Sequence, residues 1–172
     1  IHIEELMKQG IELKKASFDD IDKALVRLNR LNSSTKGEQV PVLKERMQHN
    51  MQNNFGVFRR EDLMVKGIEK LNNMRGEVEN MFLQDKSSAF NTARIEALEM
   101  QNLFEVSEAT AITANERKES RGAHARDDYP DRDDEGWLQH SIYFSGTKEV
   151  SKRDVNNRPK TVQAFQPSVR TY

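Results

Sequence analysis

The sequence predicts an all-α fold: a spectrin-repeat-like bundle of three long helices with a short extra helix, followed by a small C-terminal β-hairpin and an extended tail. The first observation is a run from Asn91 to Arg121 that lacks Pro and Gly and repeats apolar residues at helical spacing. The second is three earlier amphipathic stretches separated by polar or Gly-containing breaks. The third is a change, after Trp137, to two short strand-like stretches.

The first amphipathic stretch follows a capping signal. Ser17 precedes Asp19 and Asp20, which favours a helix start with acids in its first turn. Apolar residues at helical spacing then predict a helix to about Asn32, namely Ile21, Leu25, Leu28 and Leu31. The polar residues that follow predict a turn at 33–38.

The next two helices are separated by a break. Pro41 suits the first position of a helix that ends near Asn54. The sequence Phe-Gly-Val-Phe at 55–58 predicts a buried bend. A helix then runs from about Glu61 to Phe82. Its Gly67 and Gly76 are predicted to mark close helix contacts, since each costs about 1 kcal/mol relative to Ala.

The longest helix is predicted to start at an Asn91 cap and to end at Gly122, which gives about 28 residues and roughly 42 Å. Two apolar stripes run along it, so we expect neighbours on two of its sides. The first stripe comprises Ala93, Ala97, Met100, Phe104, Ser107, Ala111 and Ala114. The second comprises Ile95, Leu98, Asn102, Val106, Ala109 and Thr113.

Beyond this helix the chain becomes polar. Lys118–Trp137 carries clustered charges of both signs, which suit either a solvated loop or a segment held against another protein surface by charge-assisted hydrogen bonds. Strands are predicted at Ser141–Phe144 and Glu149–Val155, joined around Ser145–Lys148. A lone hairpin is marginal in water, so it should pack on the bundle or on a partner. Residues 156–172 are predicted to form the tail.

Composition narrows the function classes. Charged residues make up 32% of the chain and hydrophobic residues 35%, and the formal net charge is −1. No basic patch points to nucleic acid, and no apolar run approaches a membrane span, so neither nucleic acid nor direct membrane insertion is predicted. With 0 Cys, disulfide and thiolate chemistry are excluded.

No metal or catalytic residue is assigned from the sequence. Several side chains could in principle ligate a metal: His124, Asp127, Asp128, Asp131, Asp133 and His140. The best calcium-loop register, however, starts at Asp131 and ends on Ile142, where a Glu is required. His124 near Asp127 resembles a general base, but the sequence offers no nucleophile beside it, so hydrogen bonding in an interface is the better interpretation.

Two long motifs resemble a known family. ARIEALEMQNL at 93–103 and KESRGAHARDDYPDRDDEGWLQHS at 118–141 closely resemble the C-terminal region of succinate dehydrogenase and fumarate reductase flavoprotein subunits, the bacterial type in particular. The ESRGAH core is shared more widely, loosely with aspartate oxidase flavoproteins. DRDDEGW at 131–137 narrows the resemblance to the succinate and fumarate enzymes. The similarity runs from about Ile3 to Tyr172.

The resemblance implies a domain organisation and a function. Residues 1–16 would be the linker and helix end that leave a flavin domain, 17–121 the helical bundle, and 122–172 the polar loop, hairpin and tail. The chain begins at Ile1, which suggests a piece of a longer polypeptide. The whole subunit would oxidise succinate, with electrons passing through FAD to an iron–sulfur subunit and quinone. It would lie peripherally on the cytoplasmic face of the bacterial inner membrane.

Within this family the chain is predicted to be structural rather than catalytic. The flavin-binding elements lie upstream in the family, so this region would hold no FAD, metal or catalytic residue. Its implied partners are the upstream flavin domain, the iron–sulfur subunit and an FAD-attachment factor. The candidate interface residues are Glu119, Ser120, Arg121, His124, Arg126, Asp127 and Trp137. The alternatives are a fumarate reductase flavoprotein domain and a stand-alone helical adaptor.

Overall fold

The computed structural model describes residues 2–11, 15, 17–165 and 168. Within them the chain forms five helices: α1 His2–Lys8, α2 Phe18–Ser33, α3 Val40–Phe55, α4 Glu61–Glu79 and α5 Thr92–Glu116. The described strands are β1 Phe58–Arg59, β2 Ala125–Arg126, β3 Gln139–Phe144 and β4 Glu149–Asp154. The predicted helical fold with a small C-terminal hairpin is confirmed. No helix in these residues is both long enough and apolar enough to span a membrane.

The core lies where α3, α4 and α5 pack against one another. Each helix contributes fully buried apolar side chains, for example Leu43 from α3, Met64 and Leu71 from α4, and Ala97 and Phe104 from α5. These residues recur at steps of three, four and seven along their helices, so the hydrophobic spacing in the sequence selects the buried faces.

Helix α5 differs from its prediction in two respects. Its first stripe is mostly buried, but on the second stripe Ile95 is 55% exposed and Val106 is 61% exposed. Neighbours do lie along α5, namely α3, α4 and β3, but among the described residues they cover the second stripe only in part. The helix also ends at Glu116, with Arg117 as its C-cap, rather than at Gly122. Gly122 has a φ of 61° and occupies a turn beyond the helix.

The two glycines of α4 have different roles. A Cβ on Gly67 would clash with Phe55 Cε2 and would lie 2.7 Å from Phe55 Cζ and 2.8 Å from the Asn54 Cβ, so Gly67 allows α3 and α4 to approach closely. A Cβ on Gly76 would meet nothing within 4 Å. The predicted close contact is thus confirmed at Gly67 and wrong at Gly76.

The bend between α3 and α4 is buried only at its start. Phe55 is in the core, whereas Val57 is 71% exposed and Phe58 is 72% exposed, so the buried bend expected there is confirmed at Phe55 and wrong at Val57 and Phe58. Phe58 and Arg59 instead form β1, which pairs in parallel with β2. This pairing could not be predicted from the residue pattern, because β1 and β2 each have only two residues.

Helix α2 lies at the edge of the bundle. Ser17 caps it as expected, its Oγ accepting a hydrogen bond from the Asp20 amide at 3.2 Å. Of its predicted apolar face only Leu31 is buried. Arg27 joins α2 to α5 by donating to the Leu98 carbonyl at 2.8 Å. Most of the apolar surface of α2 is therefore left uncovered by the described residues.

The hairpin packs on the bundle. β3 and β4 pair antiparallel, with Gln139 opposite Asp154 and Phe144 opposite Glu149. The inner strand, β3, lies along α5. At the hairpin turn, Lys148 donates to the Asn72 side chain at 2.9 Å and lies 3.5 Å from the buried carboxylate of Glu108. The predicted hairpin and its packing on the bundle are confirmed.

Candidate functional site

The polar segment from Arg117 to Trp137 folds back over the C-terminal end of α5. Its β2 residues pair with β1 at the α3–α4 junction, Ala125 opposite Phe58 and Arg126 opposite Arg59. The Asp127 amide extends the pairing by donating to the Arg59 carbonyl at 2.9 Å. The segment therefore connects three helix ends that are far apart in the sequence.

Glu119 is the buried anion of the segment, with 0% exposure. Its carboxylate accepts hydrogen bonds from Arg117 Nη1 at 2.5 Å, Arg121 Nε at 2.8 Å and the Asp133 amide at 2.9 Å. Burial alone would raise the pKa of Glu119, but these three hydrogen bonds outweigh it and hold the pKa below its usual value. Glu119 thus stabilises two cations and the returning loop together.

Arg126 is the buried cation, with 1% exposure. Its Nη1 donates to the carbonyls of Ala114 at 3.3 Å, Asn115 at 3.0 Å and Arg117 at 3.1 Å. These are carbonyls at the end of α5 that have no partner inside the helix. A guanidinium there also complements the negative end of the helix dipole. Arg126 therefore terminates α5 from a position outside it.

Asp128 completes the arrangement at the start of α4. Its Oδ1 accepts from Arg126 Nε at 2.6 Å, and its Oδ2 accepts from the Glu61 amide at 2.8 Å. Arg60, the N-cap residue of α4, makes no side-chain capping bond, so Asp128 supplies the cap from 67 residues away. The Arg126 hydrogen bond holds the pKa of Asp128 far below its usual value, with a contribution from the Glu61 amide.

Ser120 and Arg121 fix the turn between these charges. The Ser120 hydroxyl donates to the Tyr129 carbonyl and accepts from the Arg126 amide, both at 2.8 Å. The Arg121 guanidinium bridges Glu119 and Asp134, contacting Asp134 Oδ1 at 2.6 Å. The Glu119 hydrogen bond, and to a lesser extent the Asp134 bond, raise the pKa of Arg121.

His124 joins the segment to the α3–α4 junction. Arg59 Nη1 lies 2.7 Å from His124 Nδ1, and the Arg117 carbonyl lies 3.2 Å from Nε2. Because a guanidinium can only donate, Nδ1 accepts and the Nε2 proton points to the carbonyl. Burial lowers the pKa of His124, and the charges of Arg59, Arg126 and Arg117 lower it further against the bond to the Arg117 carbonyl. The neutral imidazole is therefore the favoured form.

Trp137 closes the segment against the hairpin. Two cations lie against its ring, with Arg117 Cζ at 5.2 Å and Lys152 Nζ at 3.5 Å from the ring centroid. Arg117 also donates to the carbonyls of Trp137 at 2.9 Å and Gln139. Trp137 thus contacts both the end of α5 and β4.

The structure brings the predicted interface residues together in one place. Glu119, Ser120, Arg121, His124 and Arg126 form one continuous network, and Trp137 joins it through Arg117. The Asp127 side chain is exposed and contributes only its backbone. Glu119 and Arg126 are buried within the chain, so their side chains are not part of its exposed surface. The assignment of the set to an interdomain or partner interface stays a prediction.

Sequence reasoning missed five residues of this network: Arg59, Arg117, Asp128, Asp133 and Asp134. Asp128 and Asp133 were considered only as metal ligands, yet among the described residues no group of three or more His, Cys, Asp or Glu is placed to hold a metal. Asp133 instead accepts from the Glu135 and Gly136 amides at 3.1 and 2.8 Å. No local signal could have revealed Arg59, whose partner His124 is 65 residues away.

Comparisons with known proteins agree with the motif resemblance. A family model described as fumarate reductase flavoprotein C-term matches residues 44–172. The succinate dehydrogenase flavoprotein subunit of Coxiella burnetii is 43% identical over 170 residues, which cover 99% of this chain and 29% of that protein. The fumarate reductase flavoprotein subunit of Haemophilus influenzae is 30% identical across 86% of this chain and 24% of that protein. The chain thus spans less than a third of the relatives it matches.

Solved structures show the same fold. The FrdA chain of E. coli quinol fumarate reductase superposes with a TM-score of 0.78 at 28% identity, covering 95% of this chain and 28% of that chain. An adenylylsulfate reductase from Archaeoglobus fulgidus, at 20% identity and a TM-score of 0.67, shares the fold alone. Since the family model covers most of the sequence, the chain belongs to the succinate dehydrogenase and fumarate reductase flavoprotein family, of which it forms the C-terminal domain.

Proposed function

We propose that this chain serves a succinate dehydrogenase, as a structural and assembly domain of the flavoprotein subunit with no active site of its own. The observation that supports this choice within the family is the identity to the Coxiella succinate dehydrogenase subunit, at 43% against 30% for the Haemophilus fumarate reductase subunit. The whole subunit would oxidise succinate to fumarate. Electrons would pass through FAD, held by the upstream flavin domain, to an iron–sulfur subunit and quinone.

In this proposal the domain braces the flavin domain. Apolar residues on α2 and α5 are uncovered among the described residues, notably Phe18, Ile95 and Val106. Several large apolar side chains left exposed on neighbouring helices support an interaction surface there. Arg121, His124, Asp127 and Trp137 would add polar contacts to the flavin domain, the iron–sulfur subunit or an FAD-attachment factor. The complex would lie at the cytoplasmic face of the bacterial inner membrane, with this subunit peripheral.

The expectation that this chain neither binds FAD nor oxidises succinate is tested directly. FAD is added to the purified 172-residue chain, and binding is followed by flavin fluorescence and calorimetry. Succinate oxidation is then assayed with an artificial electron acceptor. We expect neither binding nor turnover. Stoichiometric micromolar FAD binding, or turnover above the blank, would overturn the structural role.

The bracing role is tested in the full-length subunit with Val106→Asp. The Val106 side chain is exposed, so the melting temperature of the 172-residue chain should stay within a few degrees of wild type. In the full-length subunit we expect faster proteolysis between the domains and lower flavin content. Val162→Asp, which places the same charge at an exposed position of the tail, is the matched control. Unchanged proteolysis and flavin content in Val106→Asp would contradict bracing through α5.

Two observations separate the alternatives. A fumarate reductase role is favoured by the high structural similarity to the E. coli enzyme, and kinetics of the intact complex in both directions distinguish the two roles. A stand-alone adaptor requires that no flavin domain be encoded before Ile1, so the upstream coding sequence decides that point.

A further inference from the structure

A shallow cleft opens between the end of α5, β1 and the start of β3. Its volume is about 330 Å³, and its lining includes Arg59, Arg117, His124, His140 and Ser141. Two arginines and two histidines line it with no carboxylate among its lining residues. The cleft belongs neither to the α3–α4–α5 core nor to the exposed apolar surface of α5.

Arg59 differs from the arginines around it. Arg60 pairs with Asp62 at 2.8 Å, Arg121 pairs with Glu119 at 2.8 Å, and Arg126 pairs with Asp128 at 2.6 Å. For half-buried Arg59, the described part of the chain offers no carboxylate oxygen within 4.0 Å. A partly buried charge without a counter-ion is costly, which points to an anion from elsewhere.

The hydrogen bonds of Arg59 leave part of its guanidinium free. Nε donates to the carbonyls of Phe55 at 3.3 Å and Gly56 at 3.2 Å, and Nη1 donates to His124 Nδ1 at 2.7 Å. A guanidinium has five N–H donors. The described residues provide no acceptor for Nη2, which is not a fully buried atom. The Nη2 edge of the Arg59 guanidinium is therefore free to bind a ligand.

The surrounding charges are unbalanced. Glu119 pairs with Arg117 and Arg121, Asp134 also pairs with Arg121, and Asp128 pairs with Arg126. Among the described residues no carboxylate is left to pair with Arg59. Burial and the charge of Arg126 lower the pKa of Arg59. His124, in contact with Arg59, is affected by the same excess of positive charge. An anion in the cleft would relieve both groups.

We propose that this cleft binds a carboxylate group through the free edge of Arg59. A planar carboxylate matches a guanidinium fork with two parallel hydrogen bonds. Ser141 Oγ accepts from Arg117 Nη2 at 3.4 Å, which leaves its own proton available for a ligand oxygen. One free guanidinium suits a singly charged group better than a phosphate dianion. All of these residues belong to this chain, so the carboxylate site does not depend on the proposed bracing role.

The test is a titration of the isotope-labelled 172-residue chain, followed by NMR at the Arg59 side chain and the His124 ring. Sodium acetate represents a free small acid, and N-acetyl-aspartate amide represents an acidic protein side chain. Sodium chloride at matched ionic strength is the reference. We expect saturable shifts with a dissociation constant on the order of 10 mM. Bound carboxylate should also raise the pKa of His124, because it stabilises the imidazolium.

Variants distinguish carboxylate binding at Arg59 from a general effect of ionic strength. Arg59→Gln and, because it keeps the charge but loses the fork, Arg59→Lys should each weaken binding at least tenfold. Ser141→Ala removes only a long hydrogen bond from Arg117 and should weaken binding by a smaller factor, which provides a test if Arg59→Gln fails to fold. Arg158→Gln removes one exposed cation from the tail and should bind as wild type does.

The outcomes are distinct. Tighter binding of the blocked aspartate than of acetate supports a protein side chain as the natural source, and the reverse supports a free acid. Shifts that stay linear with concentration, or that chloride reproduces, overturn the site. Saturation by inorganic phosphate without saturation by acetate overturns the carboxylate assignment. Binding that persists unchanged in Arg59→Lys and Ser141→Ala also overturns it.

Discussion

At the scale of single residues, Glu119 is the anion on which the segment after α5 depends. Removing one partner of a buried ion pair costs about 3–5 kcal/mol, because the other charge is left uncompensated. We expect Glu119→Gln to lower the free energy of unfolding by an amount near that range, since two arginines lose their shared acceptor. Urea denaturation measures the change. Glu99→Gln, at an exposed position on α5, is the control and should stay within about 0.5 kcal/mol.

The same variant gives a pH signature. The folded-state pKa of Glu119 is lowered, so its stabilising effect is present above the unfolded value of about 4.3 and is lost as pH falls through the folded value. Asp128 adds a loss of the same sign at still lower pH. The stability of Glu119→Gln should therefore change less than that of wild type below about pH 4.3. Equal slopes for the two proteins would contradict the assigned role.

His124 predicts a second pH effect with its own window. Its folded-state pKa is lowered, so the unfolded chain binds more protons below the unfolded value of about 6.5. Stability should therefore fall as pH drops below about 6.5, until the folded value is reached. Denaturation midpoints between pH 7 and 5 should show this loss in wild type and in His49→Gln, an exposed control. They should show a smaller loss in His124→Gln.

At the scale of elements, α4 contains a matched pair of glycines. Gly67→Ala places a methyl group against Phe55 and Asn54, and such overpacking costs about 1–3 kcal/mol. Gly76→Ala meets open space and should stabilise the helix by up to about 1 kcal/mol. Thermal denaturation of the two variants should therefore show melting temperatures that move in opposite directions. A rise in both would mean that α3 and α4 can separate at Gly67 without cost.

Apolar spacing and capping residues predicted the helices well where the deciding residues lie within the helix or next to its start. Hydrophobic spacing located α3, α4 and α5, and the Ser17 and Asn91 caps are at the expected helix starts. The predicted end of α5 at Gly122 was wrong, because residues 117–121 contain no helix-breaking residue that would indicate an earlier end. The helix stops where Arg126 folds back to take its last carbonyls. That contact is tertiary, so no helix-stop signal near Glu116 could reveal it.

At the scale of the whole molecule, the family could be predicted from the 93–103 and 118–141 motifs, but the architecture of the polar segment could not. The sequence placed most of the network's residues in one short stretch and suggested contacts with another protein. The structure shows that many of their hydrogen bonds are made within the chain. For example, the pairing of β1 with β2 places Arg59 beside His124. The exposed apolar residues on the second stripe of α5 were likewise expected to be covered, since the spacing of apolar residues shows that a helix face is apolar but does not show what covers it.

The link from α5 through Arg126 and Asp128 to α4 has a consequence for folding kinetics. The Asp128–Glu61 contact spans 67 residues, so it forms only after a large loop has closed. Interactions made late in folding act mainly on the unfolding rate. Asp128→Asn should therefore speed unfolding roughly fivefold or more, for a loss of about 1 kcal/mol or more, with little change in the folding rate.

Stopped-flow chevrons measure both rates, and Asp127→Asn, one position away with an exposed side chain, is the control. If Asp128→Asn slowed folding instead, the contact would belong to the folding nucleus. In the expected case, the contact between Asp128 and Glu61 has little effect on the folding rate. It slows unfolding, so it determines how long α4 and α5 stay together once the segment after α5 has packed over them.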